Sequence, residues 1–161
     1  MNYARDWYSH IVLIGHGTTD GVQFMDNGTE EVSGETFEQR LTRLGVVSAQ
    51  RVVELLGCNL GCRNVEIISL CCHSGCETIG SELSRAKNVD AVIAPSGVVS
   101  TQWAAHFVTD YFLRRFVNNE KNNQAVFGAV KACVGSSTLC AHVPMRLWHK
   151  GHMVCDPCAD Q

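Results

Sequence analysis

Two residues far apart in this 161-residue chain, His16 and Cys72, carry side chains that can do covalent chemistry together. A cysteine thiol is a weak nucleophile until it is ionised, and a nearby imidazole both favours the thiolate and later protonates a leaving amine. One Cys-His pair is therefore enough for acyl transfer. The oxyanion that develops needs donors in a water-poor pocket. Gly17, beside the histidine, offers a backbone N–H that no side chain obstructs, and the Cys72 N–H is the second candidate. Taken singly, a histidine of this kind reads as a loop residue and a cysteine as inert packing. The case for chemistry rests on the pairing, because each residue follows an apolar, β-branched run.

The first run, Ile11 to Ile14, leads into Gly15-His16-Gly17, and the second, Val65 to Leu70, leads into Cys71-Cys72-His73-Ser74-Gly75. Both read as buried strands that deliver a side chain to the edge of a sheet. Between them lie a helical pattern over Phe37, Leu41 and Leu44, capped by Ser33 or Thr36, and an apolar segment from Ala49 to Leu56 that stops at Gly57. Cys58 to Asn64 is a turn-rich link. Downstream, Glu77 to Ala86 reads as a helix and Asp90 to Ala94 as a third strand, closed by Pro95-Ser96-Gly97. Alternating strands and helices predict an α/β fold with a mainly parallel sheet, so that all three strands end at one rim, where sites of open α/β sheets lie. The loop Val98 to Gln102 is then the wall of a substrate pocket, with Asp20, Ser96 and Ser100 as its polar candidates. A short hairpin around Val22 to Met25 sits beside the histidine. Trp103 to Val117 is the clearest helix, Gln124 to Val134 forms another, and Pro144 to Trp148 reads as a final edge strand, with no assignment beyond Lys150.

Length and composition bound the function. A chain of 161 residues, 45% hydrophobic, can bury a core of its own as one domain. A net charge of -3 offers no basic field for nucleic acid. No apolar run reaches membrane-spanning length and the polar start lacks a signal-peptide layout, so a cytoplasmic protein is expected, with no membrane partner. Nine cysteines are many, yet an odd count without an export signal argues for reduced, buried thiols. Cys155 and Cys158 have zinc-knuckle or redox spacing, but a zinc site would need further ligands such as His149 and His152. No metal or cofactor is expected.

At its two chemical residues the chain resembles the caspase-like cysteine peptidases, the group that includes caspases, metacaspases and the bacterial CHAT domains. The residues that carry the likeness are Ile11-Val-Leu-Ile-Gly-His16-Gly17 and Ile67-Ile-Ser-Leu-Cys-Cys72-His-Ser-Gly75. The second string is particularly like metacaspases, while the order of elements from Asp90 to Val134 is similar to CHAT domains. The resemblance implies a caspase-like three-layer sandwich occupying residues 1–161 as a single domain, a cysteine endopeptidase acting on a protein substrate, His16 as base and acid, Cys72 as nucleophile and Gly17 as oxyanion donor. Cys71 takes the small-residue place before the nucleophile, and His73 is not the base. Only ten residues precede the His-Gly strand, so the sheet is expected to be minimal at its start, or completed by an activating partner or a second copy. Metacaspases place an acid just before their cysteine pair. Here Leu70 stands there, and the loop Val99 to Gln102 is neutral, so a preference for Arg or Lys does not follow. The alternative is a catalytically idle caspase-like module that pairs with a partner. An α/β-hydrolase is excluded by spacing, because Ser74 has Cys72 and Cys76 where a nucleophile elbow needs glycines.

Overall fold

A computed structural model describes residues 9–18, 21–23, 45–59, 64–135 and 145–155, with isolated positions between 33 and 43; side chains are described to residue 54 in the first helix, to 133 in the last helix and to 154 in the last strand. Its main sheet has five strands in the order β1 (His10–Leu13), β5 (Val65–Ser69), β6 (Val89–Pro95), β7 (Met145–His149), β8 (His152–Cys155). A smaller antiparallel sheet joins β2 (His16–Gly17), β3 (Gly21–Gln23) and β4 (Val46–Ser48). Four helices complete the described chain: α1 (Ala49–Asn59), α2 (Glu77–Arg85), α3 (Thr101–Phe112) and α4 (Asn122–Gly135).

The run from Val65 to Ser69 is buried at every position, as expected of a strand covered on both faces. It pairs in parallel with β1, Ile11 opposite Ile67, and with β6, Ile67 opposite Val92. Alternate residues of these strands feed two separate clusters, because successive side chains of a strand point to opposite faces. Ile68, Ala91 and Ile93 pack with Trp103, Phe107 and Tyr111 of α3 and with Ala125, Val126 and Ala129 of α4. Ile67, Val65 and Val92 pack with Ala49 and Val52 of α1 and with Ile79 and Leu83 of α2.

Capping explains several boundaries, because a side-chain oxygen at a helix start satisfies a backbone N–H that has no partner within the helix. Ser100 starts α3 by accepting the Trp103 N–H at 3.2 Å. Ser48 accepts the Arg51 N–H at 3.2 Å at the start of α1. Of the two candidate caps upstream, Thr36 forms a reciprocal pair with Gln39: the Gln39 N–H donates to Thr36 Oγ1 and the Thr36 N–H donates to Gln39 Oε1. Phe37, Leu41 and Leu44, which carried that helical pattern, lie outside the described residues.

Five expectations are corrected. The sheet is mixed rather than mainly parallel: β6 pairs antiparallel with β7, and β7 antiparallel with β8. Met145–His149 is therefore internal and not the edge strand, because Lys150 and Gly151 both adopt positive φ, the geometry of a tight two-residue hairpin that folds β8 back onto it. His16 does not end the first strand but forms a separate two-residue strand with Gly17, paired to β3 as His16 opposite Gln23. The helix α1 runs through Gly57 and Cys58 to Asn59, a single glycine near a helix end being a small penalty. Finally, the long helix begins at Thr101 and its last turn, Leu113–Val117, widens to π geometry, closed by the Asn118 N–H donating to the Leu113 carbonyl.

That wide turn faces a buried polar cluster on β5. Glu66 accepts from the Tyr111 hydroxyl at 3.0 Å, the Asn122 amide at 2.8 Å and Arg115 at 3.2 Å. His10 on β1 lies 2.9 Å from the same carboxylate, at ion-pair distance without hydrogen-bond alignment, and packs edge-on to Phe112 and Phe116. The cluster ties the first strand to the helices α3 and α4 at the end of β5 remote from Cys72.

Candidate active site

Three parallel strands end together, and the segments that follow them converge. After β1 come Ile14, Gly15 and His16; after β5 come Leu70 and Cys72; after β6 come Val99 to Thr101. These residues, with Ala104 of α3, line one groove of about 240 Å³. His16 and Cys72 thus share a groove although they lie far apart in sequence, with the whole of α1 between them.

The turn that carries Cys72 is held from several sides. The Ser74 hydroxyl lies 2.7 Å from that of Ser69 and donates to the Cys71 carbonyl at 2.6 Å, which locks the strand end to the turn. The His73 N–H donates to the Gly97 carbonyl at 3.0 Å and the Gly75 N–H to Pro95 at 2.7 Å, stitching the turn to the end of β6. Gly75 has no room for a side chain, since a Cβ there would overlap the Ala94 carbonyl. From β7, the Trp148 indole donates to the Gly75 carbonyl at 3.2 Å. His73 adopts a positive φ. This left-handed conformation costs a non-glycine residue energy.

The sulfur itself meets the third segment. Val99 donates its N–H to Cys72 Sγ at 3.4 Å, and the thiol lies 3.8 Å from the Val99 carbonyl. Cys71, the adjacent thiol, is fully buried against the Leu13 carbonyl. Burial pushes its pKa up, partly opposed by a hydrogen bond with Ser69. The two cysteines of the pair are therefore distinct: one borders a groove and the other is core.

Gly17 completes the arrangement. The Thr18 N–H donates to the Gly21 carbonyl, so Thr18 and Gly21 form a hydrogen-bonded pair and the next pair, Gly17 with Val22, does not. In an antiparallel ladder the N–H of such a residue turns away from its partner strand. Cys72 lies against the face of Gly17, its backbone so close that a Cβ at position 17 would overlap its carbonyl. The Cys72 N–H has no acceptor among the described residues. Gly17 and Cys72 thus meet backbone to backbone beside the groove that Cys72 lines.

Of the polar pocket candidates, Ser100 lines the groove while also capping α3. Ser96 is elsewhere, its carbonyl 3.8 Å from the Cys76 thiol. Asp20 lies outside the described residues, as do Cys158 and the side chain of Cys155. His73 is not among the groove's lining. Among the described residues no cluster of three or more His, Cys, Asp or Glu side chains is placed to hold a metal ion. No helix of these residues is long and apolar enough to cross a membrane. Sequence reasoning missed the Val99 backbone contact and the Trp148 anchor, which carry no motif of their own. The Pro95-Ser96-Gly97 stop was the one available signal for the first. No protein-family model matches the chain, and no curated protein matches it in sequence.

Proposed function

We propose that this chain is a caspase-like cysteine endopeptidase, built on a three-layer sandwich whose parallel half carries a His16-Cys72 dyad. The observation that carries the reading is one groove lined by both residues beyond the ends of parallel strands, with Gly17 packed against the Cys72 backbone beside it. In the first step Cys72 Sγ adds to the carbonyl carbon of the scissile peptide, its proton passing to His16. The resulting oxyanion is held by the Gly17 and Cys72 N–H groups. His16 then donates the proton to the leaving amine as the C–N bond breaks, leaving an acyl-thioester. Water, deprotonated by His16, cleaves the thioester to a carboxylic acid and restores the thiol. Thiols rather than disulfides at Cys71, Cys72 and Cys76 suit a reducing, cytoplasmic setting.

Replacing Cys72 or His16 by Ala abolishes cleavage of a protein substrate, whereas Cys71→Ala does not. Proteolysis retained by purified Cys72→Ala contradicts the assignment. An activating partner that orders the loops around the groove fits the same reading. One observation favours the second reading, an idle module that pairs with another chain: among the described residues β1 is an edge of the main sheet, and Val12 within it and Ile14 after it are exposed. Labelling of Cys72 by a halomethyl ketone, dependent on His16, separates the enzyme from the module.

A further inference from the structure

Resting on the peptidase reading, we propose that the groove beside Cys72 accepts an uncharged aliphatic side chain of about leucine size, from the residue on the acyl side of the scissile bond. Its floor is Leu70 and Ala104, each 7% exposed, and Val99 forms a wall. Ile14 stands at the rim, and Val98 adjoins the wall. These are the two most exposed large apolar side chains among the described residues, at 71% and 70%. Isolated exposed aliphatics are ordinary on protein surfaces, but Ile14 is one that lines a thiol-bearing groove, where it adds apolar surface to Leu70, Val99 and Ala104. A volume of about 240 Å³ admits one aliphatic side chain together with its carbonyl. Apart from His16, which the dyad uses, the polar side chains of the lining are the hydroxyls of Ser100 and Thr101, neutral and unable to neutralise a buried carboxylate or guanidinium. Leu70 decides the matter most directly, because it precedes the cysteine pair and borders the groove, where an acid would select a basic side chain.

The test is a set of acyl-dipeptidyl chloromethyl ketones that differ only in the side chain next to the reactive carbon: Leu, Ala, Arg and Asp. In each, Cys72 Sγ displaces chloride, a C–S bond replaces the C–Cl bond, and the thiol proton leaves through His16. Adduct mass on the purified chain gives the second-order rates. The expected order is Leu above Ala by about 10-fold, and above Arg and Asp by about 100-fold, the scale on which apolar pockets discriminate. Ala104→Leu, which narrows the floor, lowers the Leu-to-Ala rate ratio by about 10-fold, and this ratio is insensitive to a general loss of folded protein. Fastest labelling by Arg or Asp overturns the proposal while leaving the peptidase reading intact. Failure of all four to label Cys72 overturns both.

Discussion

Gly17 packs against the backbone of Cys72 so closely that a methyl group at position 17 would occupy the space of the Cys72 carbonyl. Because this obstruction is backbone rather than a flexible side chain, it is relieved only by moving β2 or the cysteine turn. Gly17→Ala is expected to cost about 1–3 kcal/mol of stability, the range for overpacking. It should also lower Cys72 labelling by on the order of 100-fold, because relieving the overlap moves the position-17 N–H or the cysteine turn out of place. Thermal melts and adduct mass check the two effects separately. Unchanged labelling would mean that the close packing of residue 17 on Cys72 plays no part in the reactivity of the thiol.

His73 is held left-handed, with its N–H on Gly97 and its carbonyl accepting from Cys76. Replacing it by glycine removes strain of about 1 kcal/mol while adding unfolded-state freedom, so His73→Gly should be close to neutral or slightly stabilising. His73→Val should destabilise by more than about 1 kcal/mol, because a β-branched residue fits this conformation poorly. Urea denaturation measures both. Labelling of Cys72 should persist in His73→Gly and disappear in His16→Ala, which distinguishes the two histidines near the thiol.

Much of this arrangement is legible in the amino-acid order, for physical reasons that also mark where reading stops. The β-branched runs through Ile11, Ile67 and Val92 must be buried, and alternation with helices aligns them in parallel, which brings His16 and Cys72 to one rim. The two-residue strand His16–Gly17 has no periodicity to read, since its existence depends on pairing with Gly21–Gln23. The β7 to β8 hairpin turns at Lys150-Gly151, a weaker signal than Asn-Gly or Asp-Gly, so the mixed character of the sheet was hidden. Trp148 reaches Gly75 across 73 positions of sequence, a contact that only the assembled fold creates.

Glu66 gathers a tyrosine and an arginine from the long helix and its π turn, an asparagine from α4 and a histidine from β1 into one buried cluster. Glu66→Ala leaves those donors and the Arg115 charge without their acceptor, and is expected to cost about 3–5 kcal/mol. Glu66→Gln, which keeps an acceptor, should cost less. Chemical denaturation measures the difference. Equal stability of Glu66→Ala and the parent chain would show that the cluster does not anchor β1.

Alkaline pH should destabilise the fold through its buried thiols. Burial, with Asp110 adding to it, pushes the Cys133 thiol from its ordinary value near 9 up to about 11, and burial raises Cys71 in the same direction. A group whose folded pKa is raised contributes stability that is complete below the unfolded value and is lost as pH rises through the folded one. Stability should therefore fall between about pH 9 and 11, and Cys133→Val should flatten that fall. Urea midpoints at about pH 8 and about pH 10 test this, with an unchanged slope in Cys133→Val as the contrary result.

On the peptidase reading, the imidazole of His16 governs the nucleophilicity of one sulfur, that of Cys72. This control is tested most directly by the rate of Cys72 modification by a peptidyl chloromethyl ketone as a function of pH, followed by intact mass in the parent chain and in His16→Ala. The expected rate near neutral pH is on the order of 100-fold higher in the parent, with the adduct confined to Cys72. Equal rates in the two proteins, or an adduct on another cysteine, would contradict it.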